Sequence, residues 1–190
     1  MKELLKMKFN MQICSMYIVL YIRANFYFGG FMVKEIKCNI FDSRTNMICH
    51  QVNCQGVMGS GLAKQVKEKF PHVYMNYSRY CDEYKQEGKS PLGTWQAVPI
   101  NYEDIEDRYI VNIFAQDRYG YTGVYTQYGA LRTALESMKR VIEDMGYSVA
   151  FPKYMGCKRG GGDWNIVRQI IEDIFGRSKL EILICECDKG

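Results

Sequence analysis

One stretch decides the fold of this chain: Asn53-Cys54-Gln55-Gly56-Val57-Met58-Gly59-Ser60-Gly61-Leu62-Ala63. It follows a short apolar segment, residues 47–53, that is typical of a buried strand. It leads into a segment with Leu62, Val66 and Phe70 at four-residue spacing, which predicts an amphipathic helix. Glycines let backbone N–H groups approach an anion, and a helix N-terminus favours negative charge. The stretch therefore predicts an anion-binding loop.

A second glycine-rich loop, residues 152–162, lies in a similar context. Residues 148–151 precede it as a short buried strand. Asp163 is placed to cap a helix that begins near Trp164 and ends at Gly176. In open α/β sheets, ligands bind at the carboxyl ends of the strands, where such loops gather. Two loops facing each other there would hold a diphosphate from both sides.

The segments around these loops continue an alternation of strands and helices. Further strands are predicted over residues 33–41, 94–99, 109–114 and 180–187, and further helices over about 71–86 and 131–145. The order is strand, strand, helix, helix, strand, strand, helix, strand, helix, strand. This order predicts one three-layer α/β/α domain around a largely parallel or mixed central sheet.

The two loops do not match the common nucleotide-binding and hydrolase motifs. The sequence GxxxxGK[ST] is absent, which argues against a P-loop NTPase. The spacing of Gly56, Gly59 and Gly61 differs from the dinucleotide-binding order GxGxxG, and no GxSxG nucleophile elbow occurs. These classes of protein are therefore disfavoured.

Composition indicates a soluble globular domain with a small-molecule partner. Of 190 residues, 47% are hydrophobic and 24% are charged. The net charge is +4, but four basic residues and one acidic residue among the first 31 account for +3. The remainder is almost neutral, so a nucleic-acid partner is not predicted. Eight cysteines without a CxxC pair, together with two histidines, indicate reduced thiols and neither a disulfide framework nor a metal site.

The N-terminal part is expected to lie outside the domain. Residues 11–22 form an apolar stretch of 12 residues, which is too short for an ordinary membrane span. No small-residue cleavage site follows, and Met32 stands directly before the first clear strand. Residues 1–31 are therefore predicted to be an extension and residues 32–190 the domain. We expect a cytoplasmic monomer with no membrane partner.

The two loops resemble those of macrodomains. The first loop matches the pattern N-x-x-G-x-x-G-x-G-[IL]-A. The second loop, Pro152-Lys153-Tyr154-Met155-Gly156-Cys157 followed by Gly160-Gly161-Gly162-Asp163-Trp164, is similar to the second ligand loop of that family. The resemblance covers about residues 33–187. It implies a three-layer macrodomain fold and binding of ADP-ribose-type ligands, without a cofactor or metal.

Within that family, the chain resembles the ADP-ribose 1″-phosphate phosphatase branch. That branch places a histidine just before the first loop, as His50 stands here, and residues 74–93 also look like it. The ADP-ribose-removing branch uses a lysine near the strand predicted over 94–99, where this chain has Pro99. The resemblance therefore favours hydrolysis of ADP-ribose 1″-phosphate. An ADP-ribosyl hydrolase acting on a macromolecule and a non-catalytic ADP-ribose-binding module stay open as alternatives.

The resemblance and the loop chemistry together suggest the site residues. The imidazole of His50 titrates near neutral pH when unperturbed, so His50 is the first catalytic candidate and Asp117 the second, with Arg118 as a phosphate ligand. The competing interpretations are a hydrogen-bonded core histidine and two solvated loop charges. The predicted ligand-binding residues are Asn39, Ile40, Asn53, Gly56, Val57, Met58, Gly59, Ser60, Gly61, Lys153, Met155, Gly156, Cys157, Lys158, Arg159 and Gly160.

Three of these residues carry more specific expectations. Asn53 is expected to bind the distal ribose, although an asparagine that starts a loop also bonds its own backbone. Asn39 stands where many macrodomains place an adenine-binding aspartate. Lys153 is expected to neutralise phosphate, together with Lys158 and Arg159. Trp164 is expected to pack against its own helix.

Overall fold

The computed structural model describes residues 33–101, 107–120 and 122–187. The predicted extension, residues 1–31, lies outside the described residues. The elements in chain order are β1 (Lys34–Lys37), a 3-10 turn (Ile40–Asp42), β2 (Met47–Asn53), α1 (Gly61–Lys69), α2 (Pro71–Gln86), β3 (Trp95–Pro99), β4 (Tyr109–Gln116), α3 (Tyr128–Met145), β5 (Val149–Pro152), α4 (Trp164–Phe175) and β6 (Ile182–Glu186).

A six-stranded mixed sheet forms the middle layer, with the strand order β1-β6-β5-β2-β4-β3. All neighbouring strands run parallel except β3, which pairs antiparallel with β4 at one edge. Helices cover both faces, as a largely parallel sheet requires. The predicted three-layer α/β/α architecture is confirmed.

Alternate residues of β2 and β4 supply two separate hydrophobic cores, because successive side chains of a strand point to opposite faces. On one face, Cys49 and Val111 lie in a core with α3 and α4. On the other face, Ile48 and Ile110 lie in a core with α1, α2 and the 3-10 turn. The apolar periodicity of each helix is therefore satisfied by one face of the sheet.

The sheet divides between β2 and β5 at the carboxyl ends of the strands. These two strands pair only at Met47 with Val149 and at Ile48 with Ala150, although β2 continues to Asn53. Beyond that point, α1 and α2 follow β2 on one face and α4 follows β5 on the other. Such a reversal creates a crevice where ligands of α/β proteins bind. Both glycine-rich loops flank this crevice.

The first predicted strand is shorter than expected. Residues 33–41 were expected to be extended, but β1 ends at Lys37 and the chain turns at Ile40–Asp42. The reason is that the side chain of Asn39 accepts a hydrogen bond from the Phe41 backbone N–H at 3.1 Å. This cap starts the turn, which buries Ile40 and Phe41. Among the described residues, no helix has the length and apolar composition needed to cross a membrane.

Candidate functional site

Asn53 organises the first glycine-rich loop from its starting point. Its side-chain oxygen accepts hydrogen bonds from the backbone N–H groups of Gln55, at 2.9 Å, and Val57, at 3.4 Å. Its amide nitrogen donates to the Val57 carbonyl at 2.6 Å. The hydroxyl of Tyr77 donates to the Asn53 carbonyl at 2.8 Å. In this structure the amide shapes the loop, and its predicted contact with ribose stays a prediction.

Beyond Asn53, the loop presents backbone N–H groups in open space. Around Gly59, the nearest atom to an added Cβ would be a methyl carbon of Val57 at 3.8 Å, and around Gly61 nothing lies within 4 Å. Ser60 precedes α1, but its side chain does not cap the helix. Among the described residues, no acceptor is found for the backbone N–H groups of Gly59, Ser60 and Gly61. An anion placed here would satisfy donors that the protein leaves open.

The side chain of Met58 points away from this opening. It is buried in the core under α1 and α2, with 2% of its surface exposed. Gly56 packs near Ser78 and Cys81 of α2 and has a positive φ of 71°. These two residues therefore contribute to the site through their backbone and by anchoring the loop, whereas Val57 is exposed at its surface.

The second glycine-rich loop folds back onto the connection between β4 and α3. The carbonyl of Gly160 accepts hydrogen bonds from the backbone N–H groups of Tyr125, at 2.8 Å, and Thr126, at 3.0 Å. The carbonyl of Gly156 accepts from the Gly162 N–H at 3.0 Å and from the Thr126 hydroxyl at 2.7 Å. Among the described residues, no acceptor is found for the N–H groups of Gly156 and Gly160. The loop is thus fixed while it keeps donors for a ligand.

The side chains of this loop have different surroundings. Met155 is buried in the core with α3 and α4, so it anchors the loop. Cys157 is half-buried, and burial raises its pKa to about 11, which keeps it a neutral thiol at pH 7. Lys158 and Arg159 are exposed at the loop tip, where cations reach a bound phosphate. Tyr154 has a positive φ of 64°, and its ring lies 5.6 Å from that of Trp164, measured between centroids.

Lys153 is engaged elsewhere. Its ammonium group pairs with Glu35 of β1 and, at 3.0 Å, with Glu186 of β6. The hydrogen bonds to these two carboxylates hold the pKa of Lys153 above its usual range. Because both neighbouring strands supply a negative charge, the structure places this lysine in an ion-pair network. Its predicted phosphate contact is not supported by this position.

His50 lies inside the sheet, with 2% of its surface exposed. Its Nε2 donates to the side-chain oxygen of Asn112 at 2.7 Å, and Asn112 in turn donates to Gln96 at 3.0 Å. Burial lowers the pKa of His50 to about 4, although the bond to Asn112 acts in the opposite direction. The ring is therefore neutral at pH 7 and faces the layer of α1 and α2. This environment corresponds to the hydrogen-bonded core histidine, and the predicted catalytic role needs a contact that the structure does not provide.

Asp117 and Arg118 are exposed directly after β4. The backbone N–H of Cys54, in the first loop, donates to the carbonyl oxygens of Gln116, at 2.9 Å, and Asp117, at 3.3 Å. Asp117 also adds to the rise in the pKa of Cys54, to about 11, which burial mainly causes. The structure therefore brings Asp117 to the first loop.

The remaining predicted residues lie at the end of β1. Asn39 is exposed and caps the 3-10 turn, and Ile40 is buried in the core under α1 and α2. Among the described residues, no group of three His, Cys, Asp or Glu side chains is arranged to hold a metal ion.

Sequence reasoning missed the polar residues beneath the second loop. Gln51, Gln116 and Thr126 bond to one another there. Gln51 carried one available signal, because it alternates with His50 and must point to the opposite face of β2. Thr126 carried none, because its loop has no periodic pattern.

A mixed α/β sheet with two open glycine-rich loops at a reversal of strand order defines a nucleotide-binding type of domain. The family model named Macro domain matches residues 49–171, which is more than half of the chain. The chain therefore belongs to the Macro domain family, as its two loops predicted.

Curated relatives fall into two activities. An ADP-ribose 1″-phosphate phosphatase of Debaryomyces hansenii is 30% identical over 101 residues, which cover 47% of this chain and 56% of the relative. A DNA ADP-ribosyl glycohydrolase of Mycobacterium tuberculosis is 28% identical over 132 residues, which cover 69% of this chain and 35% of the relative. The chain thus spans little more than half the length of the phosphatase and about a third of the glycohydrolase.

The fold is shared with solved macrodomain structures. The macrodomain of Mycobacterium tuberculosis DarG superimposes with a TM-score of 0.69 at 25% identity, and the match covers 85% of this chain and all of that one. This likeness supports the same sheet and helix arrangement across the described domain.

Proposed function

We propose that this macrodomain binds ADP-ribose through its two glycine-rich loops and hydrolyses ADP-ribose 1″-phosphate to ADP-ribose and phosphate. The observation that carries this proposal is the pair of open N–H rows, around Gly59 to Gly61 and at Gly156 and Gly160, on both sides of the crevice. A diphosphate between them would accept hydrogen bonds from both loops. The names of the phosphatase relatives support the same substrate.

Asp117 is the acid–base group that the surface of the site offers. Its carboxylate is exposed next to the first loop, so a water molecule bound there can lose a proton to it. That water attacks phosphorus, the bond between phosphorus and the oxygen on C1″ of the ribose breaks, and phosphate leaves. Arg118 and Lys158 are placed to offset the charge that develops on phosphate. His50 acts in this proposal from beneath the site, as a positioning residue bonded to Asn112.

Phosphate release from ADP-ribose 1″-phosphate tests this proposal directly. The variant Asp117→Asn is expected to lose about 100-fold or more in kcat, the scale of general acid–base catalysis, while calorimetric binding of ADP-ribose survives. Asp144→Asn changes an exposed carboxylate of α3 and serves as the matched control. Full activity in Asp117→Asn would remove Asp117 from the mechanism, and a wild-type protein without turnover would reject the phosphatase activity.

A second candidate function is removal of ADP-ribose from DNA. The observation in its favour is coverage: the DNA ADP-ribosyl glycohydrolase relative matches 69% of this chain, against 47% for the phosphatase. Incubation with an ADP-ribosylated oligonucleotide, followed by chromatography of the released ADP-ribose, tests it. Release of ADP-ribose without phosphatase turnover would select this activity. Binding of ADP-ribose without either reaction would define a binding module.

A further inference from the structure

A polar cluster fills the division of the sheet between β2 and β5, directly under the second loop. Its members are Gln51 of β2, Gln116 of β4 and Thr126 in the connection to α3. The amide nitrogen of Gln51 donates to the side-chain oxygen of Gln116 at 3.2 Å and to the hydroxyl of Thr126 at 2.8 Å. We refer to these three side chains as the crevice floor.

The hydrogen bonds of the crevice floor run in one direction. The hydroxyl of Thr126 accepts from Gln51, so its own proton is free to be donated to the Gly156 carbonyl at 2.7 Å. Gln51 can supply this chain only through its NH₂ group, because a carboxylate or an alkyl group has no proton to donate. The orientation of the Gly156 carbonyl therefore depends on the identity of Gln51.

The backbone of the second loop fits closely against the crevice floor. A Cβ added to Gly156 would lie 2.4 Å from the Gln51 side-chain oxygen, and one added to Gly160 would lie 2.5 Å from the Thr126 hydroxyl. Both glycines are thus required by close approach to these side chains. The floor and the loop form one packed unit on the side of the crevice opposite the first loop.

Gln51 also carries an unsatisfied polar atom. Its side-chain oxygen is one of two buried side-chain atoms without a hydrogen-bond partner in the described part of the chain, the other being His50 Nδ1. Burying such an oxygen costs free energy that an apolar residue would avoid. The cost is explained if the NH₂ group of the same side chain is needed to hold the loop.

We propose that Gln51 and Thr126 are positioning residues, which hold the second loop in its ligand-binding conformation and so set the affinity for the diphosphate of ADP-ribose. The inference rests on the proposed function for its ligand, but it concerns how the site is held before a ligand arrives. A loop that is already ordered loses less conformational freedom on binding, and the saving appears as affinity.

The test compares two substitutions of one residue in the full chain. Thr126→Val keeps the shape of the side chain but removes the hydroxyl, whereas Thr126→Ser keeps the hydroxyl. Hydrogen–deuterium exchange of the second loop reports on its order, and calorimetry with ADP-ribose reports on binding. We expect faster exchange and about tenfold weaker binding in Thr126→Val, with Thr126→Ser within about twofold of the wild type. Gln51→Glu, which has no NH₂ group, is expected to behave like Thr126→Val.

The outcomes separate this inference from the proposed function. Unchanged exchange in both Thr126→Val and Gln51→Glu overturns the positioning role, whatever the ligand. Faster exchange with unchanged ADP-ribose affinity also overturns it, because the floor would then be only structural. If the wild type does not bind ADP-ribose, the proposed function fails, and the exchange rates alone decide whether the floor holds the loop.

Discussion

The Nε2 atom of His50 lies 2.7 Å from the side-chain oxygen of Asn112, and the two residues face each other across β2 and β4. The other ring nitrogen, Nδ1, is buried without a partner in the described part of the chain. A second proton on the ring would therefore be placed in a buried position that offers it no acceptor. The neutral ring is part of the folded structure.

The stability of the domain is expected to fall as the pH is lowered through the range set by His50. Burial lowers the pKa of His50 from 6.5 to about 4 in the folded protein, so the unfolded chain binds more protons between these values. Stability is then complete above about pH 6.5 and decreases towards pH 4, by up to about 3 kcal/mol from this residue. Urea unfolding at several pH values measures the slope.

His50→Gln removes the titrating group, and its slope over this range should be flatter than that of the wild type. His72→Gln replaces the other histidine of the chain and should keep the wild-type slope. Equal slopes for the wild type and His50→Gln would show that His50 is not neutral and buried in solution.

Gly59→Ala is expected to impair binding without damaging the fold. An added methyl group meets only Val57, at 3.8 Å, and the residue has no positive φ, so the unfolding free energy should change by less than about 0.5 kcal/mol. The same methyl group crowds the open N–H row, so ADP-ribose should bind about tenfold more weakly. Calorimetry and thermal unfolding measure the two effects. Gly129→Ala, in an exposed part of α3, is the control and should bind ADP-ribose normally.

Lys153→Met is expected to lower stability and not affinity. The ammonium group joins Glu35 of β1 to Glu186 of β6, so its loss leaves two carboxylates facing each other at that edge. The thermal midpoint should fall, while ADP-ribose affinity stays within about twofold. Lys158→Met, at the tip of the second loop, should show the reverse pattern. Weaker binding in Lys153→Met at unchanged stability would restore the predicted phosphate contact.

A protein that starts at Met32 is expected to fold and to bind ADP-ribose like the full chain. Both hydrophobic cores are completed by side chains from residue 33 onwards among the described residues. Circular dichroism and calorimetry on the shortened and full chains provide the comparison. Loss of folding or binding in the shortened protein would mean that residues 1–31 belong to the functional unit.

The fold was predictable because its signals are local. The apolar face of α3, from Leu131 to Ile142, and the glycine at its end follow directly from helix periodicity and from the left-handed conformation of Gly146. The β1 boundary was missed because Asn39 forms a side-chain cap, which competes with the extended conformation that apolar alternation suggests.

The site was predictable only where the backbone supplies the chemistry. Glycines and loop positions identified the open N–H groups, because these depend on chain geometry. The surroundings of His50 and Lys153 depend on Asn112, Glu35 and Glu186, which lie far away in the sequence. The partners of a polar side chain are set by strand order, and no local pattern reports them.

The early end of pairing between β2 and β5 has a consequence for how such domains diversify. Past Ile48 and Ala150, the spacing of the two loops depends on side chains and not on a ladder of backbone bonds. Single substitutions under the loops can therefore widen or narrow the opening while every strand keeps its neighbour. A lineage with this architecture can exchange one ligand for another in small steps, each of which leaves folding intact.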